Sequence, residues 1–195
     1  MTVSLAKRET ISLAKTSAGA LSAITVGLGW DPAKPKSTLA KLFGGGASSI
    51  DLDASCILLD EHCNQVDIVW FRQLASKCKS IKHSGDNLTG EGEGDDESIM
   101  IDLTRLPQNI AHLAFTVNSF RGQSFNEVEN AHCRVLDQSK KELCIFKLNE
   151  QGRHTGVLIA TLSRAGGEWK FTAQGLPGSG NTAESLVPVA RSVLS

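Results

Sequence analysis

The sequence predicts an all-β fold, a β-sandwich of two antiparallel sheets with two or so short helices. Apolar residues alternate with small or polar ones over short windows, the period of a half-buried strand. Turn signals such as Gly166-Gly167 punctuate these windows at short intervals. Helical spacing is confined to two short stretches.

Ile24, Val26, Leu28 and Trp30 form the first alternating window, and Ile50, Leu52, Ala54, Cys56 and Leu58 the second. Residues 66–71 follow the polar run Asp60-Glu61-His62-Cys63-Asn64, so the second window and this one predict a hairpin. Ile99 with Ile101, and Leu113 with Phe115 and Val117, predict two further strands. Val135 and Leu136 precede a polar turn at 137–141, after which Leu143, Ile145 and Phe146 resume the pattern. Residues 157–162 and 169–173 flank the Gly-Gly turn as a last hairpin. Ser124-Phe125-Asn126-Glu127 has capping-box spacing and predicts a helix through about Ala131. A second helix is expected at the C-terminus, capped by Asn181 or Thr182. Its apolar stripe is Leu186, Val189, Ala190 and Val193, and Pro188 would kink or delay it. The Pro, Lys and Gly-rich stretch at 32–49 reads as a long mobile loop inside one domain spanning 1–195.

Composition narrows the function classes. The 195 residues are 41% hydrophobic and 21% charged, an ordinary globular balance. A net charge of −1 gives no electrostatic attraction to nucleic acid, and 5% aromatic residues with no Tyr give no base-stacking surface. Direct nucleic-acid binding is therefore not expected. No basic region followed by an apolar core opens the chain, and no apolar run approaches the roughly 18 residues of a membrane helix. A cytoplasmic location is expected. The five cysteines, Cys56, Cys63, Cys78, Cys133 and Cys144, are odd in number and form no C-x-x-C, which predicts reduced thiols rather than disulfides or zinc ligands.

The most informative stretch is 83–97, His-Ser-Gly-Asp-Asn-Leu-Thr-Gly-Glu-Gly-Glu-Gly-Asp-Asp-Glu. Six carboxylates fall between Asp86 and Glu97, and no Lys or Arg occurs from Gly85 through Thr104. Crowded carboxylates repel at neutral pH, so a fold that gathers them protonates some or binds a cation. Glycines at 85, 90, 92 and 94 allow positive φ and inward-turned carbonyls. That mixture of hard oxygens suits Ca²⁺, whereas zinc and copper want softer donors. An EF-hand does not fit: its third, fifth and sixth positions would be Leu88, Gly90 and Glu91. A solvated acidic turn with no specific ion is the competing reading. Asp31, at the end of its strand, and Asp51 and Asp53, two apart on one strand face, are further acids near a loop cluster.

These residues carry a resemblance. Gly27-Leu28-Gly29-Trp30-Asp31, Asp51-Leu52-Asp53-Ala54-Ser55, the 83–97 stretch, Ser124-Phe125, and Arg164 with Gly167, Trp169 and Lys170 occur in order along nearly the whole chain. The chain resembles the tellurium-resistance family whose domain is named TerD. The resemblance implies a calcium-binding β-sandwich, with Asp31, Asp53, Asp86, Asn87, Glu93, Asp95, Asp96 and Glu97 as the metal set. It further implies a role in bacterial stress systems and partners among other proteins of the tellurium-resistance system, a membrane protein among them. That places the protein in the cytoplasm, peripheral to the inner face of the membrane. It implies no enzymatic activity.

Two functions compete. One is an interaction module whose acidic loop is ordered by Ca²⁺. The other is a metal-dependent enzyme acting on phosphate esters or nucleotides, for which His83 is the nearby base and Arg121, Arg164 and Lys170 are dispersed cations. A third reading, thiol chemistry on tellurite, meets the objection that Cys56 lies in an apolar strand.

Overall fold

Alternating apolar residues fold here into two six-stranded sheets packed face to face. The computed structural model describes residues 2–17, 19–33, 51–85, 94–148 and 152–195. The first sheet runs β1 (Val3–Leu5), β10 (Glu142–Lys147), β9 (Val128–Asp137), β3 (Ala23–Pro32), β7 (Glu97–Asp102), β6 (Ile81–His83). The second runs β2 (Thr10–Ser12), β12 (Glu168–Gly178), β11 (Gly156–Ala165), β8 (His112–Ser119), β4 (Leu52–Leu59), β5 (Gln65–Val69). Among the described residues β1 and β10 pair in parallel and the other ladders are antiparallel.

The period of two decides what each strand buries. Ile24, Val26, Leu28 and Trp30 point inward from β3 and meet Ala54, Cys56, Phe115 and Val117 from the facing sheet in one continuous core. The outer face of the second sheet is also apolar, at Ile57, Leu59, Ala114 and Leu158. It is covered by the C-terminal helix α2 (Val187–Leu194), which contributes Val187 and Ala190. Pro188 sits in the first turn of α2, where its missing N–H has no intrahelical partner to lose. A 3₁₀ turn, Ala183–Leu186, occupies the residues before it, so the proline delays the α-helix as expected. A single-turn helix, α1 (Leu13–Thr16), follows β2 and is capped by the Ser12 hydroxyl.

The helix expected from Ser124 to Ala131 is not formed. Phe125–Glu127 is one 3₁₀ turn, Ser124 makes no side-chain cap, and Val128 already belongs to β9. Pairing of β9 with β3, from Pro32 opposite Val128 onward, overrides the local helix signal. β1 and β2 were not read from the sequence, because three residues are too few to display a period. The loop expected at 32–49 falls outside the described residues except for Pro32, which ends β3, and Ala33.

Candidate acidic-loop site

The Gly27-Leu28-Gly29 motif forms a ledge for the returning leg of the acidic loop. Leu28 points into the core, so the two glycines face outward and leave the sheet surface bare. Residues 94–96 lie on it. The Asp96 N–H donates to the Leu28 carbonyl at 2.8 Å, and the Trp30 N–H donates to Asp96 Oδ2 at 2.8 Å. A Cβ at Gly27 would collide with the Asp95 carboxylate. One at Gly29 would collide with His132 and approach the Gly94 carbonyl to 2.9 Å. Gly85 and Gly94, either side of the loop centre, have φ of 116° and 104°, as the sequence expected of its glycines.

The three consecutive acids at the end of the loop have three different surroundings. Asp95 Oδ1 accepts from Arg134 Nε at 2.7 Å and lies 3.7 Å from His132 Nε2. Burial alone would raise the Asp95 carboxyl, but His132 and Arg134 outweigh it and hold it below its ordinary value. His132 is raised in turn, chiefly by Asp95. Asp96 goes the other way. Burial lifts it, the Trp30 N–H opposes, and the charges of Asp31 and Glu97 push it higher still, so it stands above the ordinary carboxylate value. Glu97 is buried, with its Oε2 accepting from the Ala54 N–H at 2.7 Å and standing 3.3 Å from His83 Nε2.

His83 is locked into this network. The Gly85 N–H donates to its Nδ1 at 3.0 Å, so the proton of the neutral ring sits on Nε2, which also faces the Ala54 carbonyl at 3.1 Å. Burial disfavours the charged ring, but Glu97 more than compensates and raises His83 above its ordinary value. Asp53, next to Ala54 on β4, is buried and near enough to add to that shift. Asp51 is held by Arg121 Nε at 3.0 Å. Asp31 accepts from Asn130 Nδ2 at 2.7 Å. The β3–β9 register shifts between Gly29 and Asp31, and Asn130 takes φ of 53° there, which aims its amide at the end of β3.

Of the metal residues named from the sequence, Asp31, Asp96 and Glu97 lie around the end of β3 and the start of β7, and Asp53, on β4, lies near His83. Asp95 lies beside them but turns to Arg134. Asp86, Asn87 and Glu93 lie outside the described residues. The donors are hard oxygens of the kind Ca²⁺ takes. Among the described residues no three acids, histidines or cysteines converge tightly enough to enclose an ion alone. Sequence reasoning missed His132 and Arg134. The lack of any Lys or Arg from Gly85 through Thr104 required a countercharge from elsewhere, and the two lie two apart on one strand face.

The cysteines are all free, and four of the five are buried. Burial pushes the Cys144 thiol up to about 12 and raises Cys56 and Cys133 strongly. Cys78 differs: burial would raise it, but hydrogen bonds with Ser76 and Ser80 bring it below its ordinary value.

A sandwich of two six-stranded sheets among the described residues, with Gly94, Asp95 and Asp96 packed on a glycine ledge, defines the class of protein. The family model of the TerD domain matches residues 1–187, and the chain belongs to that family. It is 58% identical over 184 residues to tellurium resistance protein TerZ of Serratia marcescens, covering 94% of each chain. It is 44% identical to stress response protein SCP2 of Bacillus subtilis, covering 90% of this chain and 92% of that one. In fold it matches the crystal structure of a TerD homologue from Streptomyces coelicolor with a TM-score of 0.68 at 22% identity, over 86% of this chain and 96% of that one. The chain is thus a member of a tellurium-resistance and stress-response family. Among the described residues no helix is long and apolar enough to cross a membrane.

Proposed function

We propose that this chain is a calcium-binding stress-response protein that acts as an interaction module, with Ca²⁺ ordering its acidic loop. The observation that carries this reading is Asp96, held above its ordinary value by burial and by the charges of Asp31 and Glu97. A divalent cation among these oxygens would relieve the repulsion that now opposes ionisation. Loop ends at positive φ support it, because they let backbone carbonyls turn toward an ion. Its partners are other proteins of a tellurium-resistance system, a membrane protein among them, met in the cytoplasm at the inner face of the membrane. Loop ordering by calcium would remove entropy that partner binding otherwise has to overcome.

A module rather than an enzyme is favoured by His83. Its Nδ1 accepts from Gly85 and its Nε2 faces Ala54 and Glu97, which leaves no ring nitrogen open to act as general base on a substrate. The test is thermal melting with calcium and with chelator. Binding to the native state alone stabilises by about 2.7 kcal/mol at a hundredfold excess over Kd. Identical curves would remove the metal from the reading. Pull-downs from lysate in calcium and in chelator, run beside a phosphatase and nucleotidase screen, test the module. Partner capture should need calcium, and turnover should stay at background.

A further inference from the structure

The outer face of the first sheet carries a second feature, at the end of β3 opposite Asp31. Thr25, Met100 and Lys82 stand directly across from one another on β3, β7 and β6. They point outward because Ile24, Ile99, Ile101 and Ile81 beside them point into the core. Three turns rise around this floor. The turn before β6 brings Lys79, the turn after β7 brings Arg105, and the β9–β10 turn brings Lys140. The groove between them measures about 330 Å³, within the roughly 300–1,000 Å³ of small-molecule sites.

Its charge is net positive. Lys79, Lys82, Arg105 and Lys140 line it, and none of them forms an ion pair with another described residue. The two acids in its wall, Asp102 and Asp137, organise their own turns. Asp102 Oδ1 accepts from the Thr104 and Arg105 N–H groups and the Thr104 hydroxyl at 3.0, 3.1 and 2.6 Å. Asp137 Oδ1 accepts from the Ser139 and Lys141 N–H groups and the Ser139 hydroxyl at 2.8, 3.0 and 2.7 Å. Two of the cations are presented by the backbone itself. Lys79 and Lys140 have φ of 60° and 66°, in turns closed by N–H donation to Ser76 and Asp137 at 2.9 Å each. Lys140 Nζ reaches across to Thr25 Oγ1 at 3.4 Å. Four cations against two carboxylates leave the depression net positive, which attracts an anion.

The geometry points to a binding site for a small soluble molecule carrying two or more linked phosphates, seated among Lys79, Lys82, Arg105 and Lys140. One phosphate is too small to serve the whole set. Lys82 on β6 and Lys140 over Thr25 on β3 are two strand spacings apart, about 10 Å. Arg105 supplies a planar fork for phosphate oxygens and the lysines supply point charges. Met100, 42% exposed on the floor, offers an apolar surface to the rest of the ligand.

The site is separate from the proposed calcium site. Thr25 and Asp31 are six residues apart on one strand, roughly 20 Å. The test is calorimetric titration of the full chain with inorganic pyrophosphate, in chelator and at low salt, so that its outcome does not depend on calcium. Wild type should bind, and K79Q/K82Q/R105Q should lose about tenfold or more in affinity, the loss expected when charge-assisted contacts go. K15Q/R153Q/K170Q removes the same charge from exposed positions elsewhere and should stay within about twofold. Circular dichroism checks that both fold; should the triple variant fail to fold, the single change K82Q, on an exposed strand position, should weaken binding severalfold. No binding to wild type at millimolar pyrophosphate would overturn the proposal. So would equal losses in the two triple variants, or binding to phosphatidylglycerol vesicles with none to pyrophosphate.

Discussion

Burial and neighbouring charge hold the Asp96 carboxyl above its ordinary value, while Arg134 and His132 hold the adjacent Asp95 below it. The two therefore act oppositely on stability. A carboxyl raised on folding costs stability at any pH above its folded value, and that cost lifts as pH falls through it. A carboxyl lowered on folding contributes stability above its unfolded value and loses it on acidification. Asp96→Asn should accordingly raise the melting temperature measured in chelator at neutral pH, and at the same time weaken calcium binding. A lower melting temperature in chelator would show that Asp96 is not under repulsion. Glu61→Gln, in an exposed hairpin turn, should change neither quantity. Asp137, which the sequence presents as another plain turn acid, is not a neutral control, because it accepts three hydrogen bonds in its turn. Gly27→Ala tests the ledge. Its new methyl would displace the Asp95 carboxylate, costing about 1–3 kcal/mol as overpacking does. Melting temperature should fall, and calcium affinity should fall with it. Unchanged melting would mean that the loop lies free of the sheet.

Strands with four or more alternating residues were legible, and so was the C-terminal helix with its proline. The 124–131 segment was not, because its capping-box spacing is local whereas its partner strand β3 is about a hundred residues away in sequence. The bulge at Asn130 further blurs the period of β9 that would have betrayed a strand. His132 and Arg134 fell between that expected helix and the window at Val135 and Leu136, and so were placed on neither. The Arg164, Gly167, Trp169 and Lys170 set was legible as a motif but not as a device. Arg164 stacks over the Trp169 ring at 4.5 Å. Its guanidinium donates to the carbonyls of Leu106, Pro107 and Ile110 at 2.9, 3.3 and 3.1 Å, tying the β7–β8 connection to the β11–β12 hairpin. Lysine keeps the charge but has neither the plane nor the fork. Arg164→Lys should cost about 2 kcal/mol, read by chemical denaturation, with calcium affinity unchanged in the folded protein. A neutral result would reduce the clamp to a surface contact.

For the molecule as a whole, thiol chemistry should be dispensable to metal binding. Four cysteines are buried, three of them in strands β4, β9 and β10, where they pack as small hydrophobes. Replacing all five by Ala or Ser should lower stability, yet leave calcium affinity near wild type wherever the variant still folds. A folded cysteine-free protein without calcium binding would overturn that. The acidic loop itself was the most legible part of the candidate site, since its composition needs no partner to be read. Its countercharges and its ledge depend on pairings that only the assembled sheets create.

Those pairings set a timetable for synthesis. β1 joins its sheet through β10, and β2 joins the other through β12, so each edge needs a strand made near the far end of the chain. β3, the support for the loop, meets β7 first and β9 only later. At roughly 5–20 residues per second of translation, the first strands spend on the order of ten seconds outside the ribosome before their partners exist. For that interval Val3 and Leu5 have no sheet to enter, and theirs is the segment a chaperone would meet first.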